Sequence, residues 1–414
     1  MTRQFALRAL LRILAPVLFV SPAASAEIDL PVARPEEVGM SSQRLGRVRA
    51  MIQRYIDREQ IAGAVTLIAR KGSVVHFEAQ GFMDLESRKP MQKDALFRVA
   101  SMTKPVTSVA AMMLLEEGHF QLNDAVSRFI PEFKTSKVAL PQIVPADREV
   151  TIRDLLTHTT GLPGARDLPN VPRDSLSSYV AYLAKLPLEF QPGAAWNYGQ
   201  STMVLGRVVE VASGMPLDRF FEERIFRPLG MTDSHLFLPD SKAARRATTY
   251  APKTPAGGLQ PYTFPRPRPA NTRFPNGSAG LVSTAADYFR FCQMSLSGGR
   301  FGGARLLSRK SVEAMTVNQI GNLEAKAVEV GEEEVRPLGP GIRFGLGYGV
   351  VADPAAAGTL LSAGAYWWGG AQGTTFFVDP KEQMIGVVMI QLQPNRHLNL
   401  RRNFWSLAAQ AIVD

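Results

Sequence analysis

Ser101-Met102-Thr103-Lys104 is the only Ser-x-x-Lys in this chain, and it heads an apolar stretch, Pro105 to Leu115, that closes at Gly118. The stretch reads as a helix. Residues three apart on a helix share a face, so the Lys104 amine is expected over the Ser101 hydroxyl. A hydroxyl with its own amine is a nucleophile with a built-in proton acceptor. The start of a helix adds unpaired N–H groups and partial positive charge, which favour the alkoxide-like oxygen that develops during attack. Pro105 falls in the first turn, where it is tolerated. The same four residues also fit a serine cap followed by a solvated lysine, so neighbouring segments must decide.

Two segments carry compatible chemistry. Trp196-Asn197-Tyr198-Gly199-Gln200 lies between Pro192-Gly193 and an apolar helix beginning near Ser201, a loop position suited to catalysis. A phenol titrates near pH ~10, and adjacent ammonium charge turns it into a usable base. Tyr198 fits a core aromatic packed on Trp196 equally well. Trp367-Trp368-Gly369-Gly370-Ala371-Gln372-Gly373 precedes an apolar strand near the C-terminus. Its glycines let a substrate carbonyl approach the backbone, and an N–H at a strand edge could complete an oxyanion hole with that of Ser101. Each such donor supplies about 2.7 to 4 kcal/mol of transition-state stabilisation. A glycine-rich strand start with two buried tryptophans is the plainer reading.

The order Ser/Lys, then Tyr, then a Gly-rich strand resembles the serine β-lactamase and penicillin-binding-protein superfamily, in particular its class C branch and the family VIII carboxylesterases. The likeness covers nearly the whole chain after the N-terminal segment. Leu155-Leu156-Thr157-His158-Thr159-Thr160-Gly161-Leu162, Gly280-Leu281-Val282-Ser283-Thr284 and Gly373-Thr374-Thr375-Phe376-Phe377-Val378-Asp379-Pro380 look like further family signatures. The resemblance implies that Ser101 is acylated, that Lys104 and Tyr198 move its proton, that Trp368-Gly369-Gly370 faces the substrate and that Ala371 offers the second oxyanion N–H. Trp368 is taken as the motif tryptophan because it directly precedes the glycine pair. Where β-lactamases carry a lysine for the substrate carboxylate this chain has Trp368, which favours uncharged esters. Gln200 stands where lactamases often have Asn, one methylene shorter. The expected activity is a carboxylesterase working through an acyl-enzyme. β-Lactam or D-amino-acid peptide hydrolysis would use the same groups, and a penicillin-recognising or cell-wall-binding protein would acylate without turnover.

These groups need elements to hold them. Ser41 to Asp57 patterns as an amphipathic helix, followed by a hairpin from Gly63 to Ile68 and Ser73 to Ala79 around Lys71-Gly72. The far end mirrors it: Thr374 to Val378, a turn at Asp379-Pro380-Lys381, Met384 to Leu392, then a helix from about Leu398 to Val413. The expected fold is α/β (α+β), an antiparallel sheet flanked by N- and C-terminal helices, with a mostly helical region inserted. Residues 27–100 and 281–414 would supply the sheet and 101–280 the helical region, in one compound domain. Ile152 to Leu156, Ser175 to Lys185 and Thr202 to Ser213 read as helices within it. Pro261, Pro265, Pro267, Pro269 and Pro275 make 251–280 a loop without regular structure, near the pocket mouth. Gly331 to Gly341 reads as a second loop.

Whole-chain features narrow the class. Residues 1–26 read as a secretory signal: three arginines, an apolar run from Ile13 to Val20, and Ala24-Ser25-Ala26 before a new start at Glu27. The run is too short to span a bilayer, so an exported protein, periplasmic or secreted and without stable membrane insertion, is expected. The single cysteine, Cys292, rules out an intramolecular disulfide and sits in a buried-helix pattern. A net charge of +10 without a Lys/Arg block disfavours nucleic acid as partner. The five histidines are scattered, with no His-Glu-x-x-His, so neither metal nor other cofactor is expected. His158, beside a turn, is expected to be a structural hydrogen-bonding group. No Gly-x-Ser-x-Gly elbow supports the ordinary esterase route. The partner is a small ester or amide.

Overall fold

The computed structural model describes residues 30–139, 141–164, 168, 170–254, 257–264, 274–323, 328–330, 333–335, 338–395 and 397–414. The segment read as a signal, and Pro265, Pro267 and Pro269, lie outside them. The centre is one antiparallel sheet of eight strands: β1 (Gly63–Arg70), β2 (Ser73–Asp84), β3 (Lys89–Pro90), β4 (Ile342–Phe344), β5 (Gly349–Val351), β6 (Tyr366–Gly369), β7 (Thr375–Asp379) and β8 (Met384–Met389), in the order β4-β5-β6-β7-β8-β1-β2-β3. The two ends of the chain meet in its middle, where Val65 pairs Met389 and Arg70 pairs Met384.

All eight residues of β1 are buried, which requires cover on both faces. One cover is α1 (Ser42–Asp57), capped by the Ser41 hydroxyl on the Arg44 N–H, together with the C-terminal helix Leu400–Ala409. The other is helix Ala285–Leu296, which packs on β1, β7 and β8 and buries Cys292. The helical region holds α2 (Thr103–Glu116), α3 (Ile152–Thr157), α4 (Leu176–Leu183) and α5 (Ser201–Ser213). Every residue of α2 from Thr103 to Leu114 is buried, so it runs through the interior, and α5 packs along it.

Two loop expectations are corrected. Within 251–280, Tyr250–Thr254 pairs antiparallel with Gly257–Pro261. Pro252 and Pro261 are accommodated because a two-stranded hairpin consists of edges, where a missing N–H breaks no inner ladder. Within the second loop, Glu333–Val335 pairs antiparallel with Val328–Val330, which lies just before it.

Candidate active site

Ser101 sits in a short 3-10 turn, Ala100–Met102, that leads into α2. Ala100 adopts φ 44°, the left-handed region that costs an L-residue roughly 1 to 2 kcal/mol. The turn is pinned by Thr103, whose hydroxyl donates to the Ala100 carbonyl at 2.6 Å and accepts the Leu281 N–H at 3.0 Å. One helical step on, Lys104 is buried, and its Nζ donates to Ser101 Oγ at 3.2 Å and to the Ser278 carbonyl at 3.0 Å. Segment 276–279 is in turn tied to α2 by the Thr107 hydroxyl, which donates to the Gly277 carbonyl at 2.6 Å.

Tyr198 lies in the loop that leads into α5, and the packing of α5 on α2 brings its ring under the ammonium, with Lys104 Nζ 4.6 Å from the ring centroid. The phenol oxygen accepts the Trp368 indole N–H at 3.2 Å. That leaves its own proton free to point elsewhere. Trp368 is thus linked to the Ser101–Lys104 pair through Tyr198. Trp367, one residue earlier, stacks on the Trp368 indole at 5.4 Å and packs on Trp405 at 5.0 Å beneath the Arg401 guanidinium.

His158 ends α3 in the left-handed conformation, φ 59°. Its carbonyl accepts the Asn197 N–H at 3.0 Å, and its Nδ1 accepts the Gly199 N–H at 3.5 Å, so the backbone on either side of Tyr198 hangs on this one residue. The imidazole lies 4.9 Å from the Tyr198 ring. Burial, with a smaller contribution from the nearby Lys104 charge, holds its pKa well below the ordinary value, so the ring is neutral.

The end of β6 lies against the turn that carries Ser101. A Cβ on Gly370 would overlap the Val99 carbonyl and the Thr374 hydroxyl, so only glycine allows this approach. Thr374 Oγ1 also donates to the Val99 carbonyl at 3.3 Å. The next residue, Ala371, is exposed, and no acceptor among the described residues takes its N–H. Gln200 is half-buried, with its amide oxygen taken by the Tyr179 hydroxyl at 2.8 Å. Tyr179 packs on Phe274 at 5.3 Å.

The structure thus brings Ser101, Lys104, Tyr198 and Trp368 into one chain of contacts, with Gly369, Gly370 and Ala371 at the adjoining strand end. Sequence reasoning missed Ser278 and Phe344. Ser278 acts through a main-chain oxygen, which any residue carries. Phe344 lies 5.3 Å from Trp368 and 5.5 Å from His158, on a three-residue strand too short to signal itself.

A serine hydroxyl held by a buried lysine, at the head of an interior helix and beside the end of an antiparallel sheet, defines a serine hydrolase. The chain belongs to the beta-lactamase family, whose model, described as Beta-lactamase, matches residues 48–410. Esterase EstB of Burkholderia gladioli is 32% identical over 364 residues, 80% of this chain and 86% of that protein. Lovastatin esterase of Penicillium rubens is 30% identical over 377 residues, 82% and 91% of the two chains. Among solved structures, EstCE1, a hydrolase with promiscuous acyltransferase activity, superposes with a TM-score of 0.74 at 28% identity, over 90% of this chain and 99% of that one.

Proposed function

We propose that this protein is a carboxylesterase that cleaves small uncharged esters through an acyl-enzyme on Ser101. The observation that carries the reading is the Lys104 amine on the Ser101 hydroxyl, 3.2 Å away, with the Tyr198 ring beneath it. As Ser101 Oγ bonds to the ester carbonyl carbon, its proton passes to the Lys104–Tyr198 pair. The carbonyl oxygen takes up the negative charge against the N–H groups of Ser101 and Ala371. When the C–O bond breaks, the leaving alcohol takes that proton. Water then attacks the acyl group by the same path, and its proton returns to Ser101.

Substrate choice follows from the surfaces around the serine. His158, Trp196 and Phe344 are buried and pack behind Tyr198 and Trp368, and a tryptophan, Trp368, stands where a carboxylate-binding lysine would be needed. A neutral acyl or alcohol group suits an indole at that position, whereas a substrate carboxylate would lose water without gaining a partner. Gln200 would meet substrate only through its NH₂, its oxygen being occupied by Tyr179. The likeness to the two esterases named above supports the same class.

The test is hydrolysis of a short-chain p-nitrophenyl ester and of a chromogenic cephalosporin by residues 27–414 and by Ser101→Ala. The expected result is ester turnover that disappears in the variant, with little cephalosporin cleavage. Ester turnover surviving in Ser101→Ala overturns the mechanism, and faster cephalosporin turnover makes the protein a β-lactamase despite Trp368. Stoichiometric labelling of Ser101 without release would assign it a binding role instead. Export through residues 1–26 belongs to the same proposal; among the described residues no helix is long and apolar enough to cross a membrane.

A further inference from the structure

Helix Ala285–Leu296 ends by turning through Gly298 and Gly299 into a short hairpin, Arg300–Phe301 paired with Ala304–Arg305. The register sets Arg300 directly opposite Arg305. Opposed side chains in an antiparallel pair leave the same face with Cβ atoms about 5 Å apart, and like charges so placed repel. Both residues are exposed, and neither has a hydrogen-bonding or acidic partner among the described residues. They open, with Arg309, onto one cavity of about 580 Å³. Glu313 is the only carboxylate on its described wall, and it is already shared by Arg309 and Lys310. Ser297 and Thr316 add hydroxyls. The cavity touches β6 at its first residue, Tyr366, whereas the glycine pair of the ester site lies at the other end of that strand.

We propose that this cavity is a binding site for a phosphate-bearing ligand, separate from the ester site. Guanidinium groups present planar forks that match phosphate oxygens two at a time, and two forks held opposite each other can share one phosphate. A bound anion would remove the repulsion that the hairpin register builds in, so the protein gains from occupancy as well as the ligand. The arrangement commits to the phosphate; it accepts that group from a soluble molecule or from a lipid head.

The experiment titrates inorganic phosphate into the purified protein by calorimetry at constant ionic strength, and sediments the protein with phosphatidylglycerol or phosphatidylcholine vesicles. The comparison is the double variant Arg300→Gln/Arg305→Gln. The expected result is saturable phosphate binding at least tenfold weaker in the double variant, with ester hydrolysis unchanged. Vesicle binding specific to phosphatidylglycerol and lost in the double variant assigns the phosphate to a lipid head, while phosphate binding without vesicle binding assigns it to a soluble ligand. No binding of either probe, or equal binding by both proteins, overturns the proposal. Arg305→Glu guards against misfolding of the double variant: it converts the repelling pair into an ion pair, so it should melt no lower than the parent in chloride buffer and still lose phosphate binding.

Discussion

His158 is the residue whose removal best separates positioning from chemistry. It touches no reacting atom of the proposed mechanism, yet it accepts the Gly199 N–H and lies against the Tyr198 ring. His158→Ala is expected to lower kcat about 10- to 100-fold, the scale of a misplaced catalytic group, with KM for a small ester little changed. His158→Asn, which can still accept the Gly199 N–H, should recover part of the loss; kinetics of both variants check this, and equal activity of His158→Ala and parent would remove the positioning role. At this scale the sequence carried what depends on side-chain type at fixed spacing. Ser101 and Lys104 are i and i+3, and Tyr198 stands at the head of a helix. It did not carry the Ser278 carbonyl, because a main-chain acceptor has no residue signature, nor the link from Tyr179 to Gln200, which depends on how α4 meets α5.

At the scale of elements, the approach of β6 to the nucleophile turn rests on Gly370. Gly370→Ala is expected to displace the strand end from Val99 and reduce kcat by 10²-fold or more, roughly one oxyanion donor's worth, while the far-ultraviolet circular dichroism stays that of the parent. The β1–β2 hairpin carries a pH-sensitive contact. Thr66 Oγ1 lies 2.7 Å from His76 Nε2, and burial, aided by the charges of Lys93 and Arg49, pulls the His76 pKa down from 6.5 to about 4. The unfolded chain therefore takes up this proton first as the pH falls. The contribution to stability is fully present above about pH 6.5 and is lost between about 6.5 and 4, amounting to about 3 kcal/mol. Denaturant unfolding of the protein and of His76→Gln across that range should show the variant with the shallower pH dependence. The long helices and hairpins were readable from periodicity; β4 and β5, three residues each, have too few positions for alternation to register, and the prolines of the 250–261 hairpin mimicked a loop because propensity does not see an edge.

At the scale of the whole molecule, the antiparallel sheet with a helical region inserted was readable because both ends of the chain pattern as strands and helices. The second cover, helix Ala285–Leu296, gave only the hint of a buried Cys292. If residues 1–26 act as a signal, protein recovered from the periplasm or medium should begin at Glu27, as N-terminal sequencing would show. A start at Met1 would reassign that segment as a retained anchor. The pairing of β1 with β8 also dictates the order in which the molecule can be finished. Residues 63–70 lie in the middle of the sheet but have β2 as their sole neighbour until residues 384–389 have been synthesised. A growing chain therefore carries a bare, apolar strand edge until residues 384–389 have emerged, slow to close because its partner is so distant and prone to pair wrongly meanwhile. Loss of residues 384–414 would leave the molecule with an unclosed seam rather than a trimmed end.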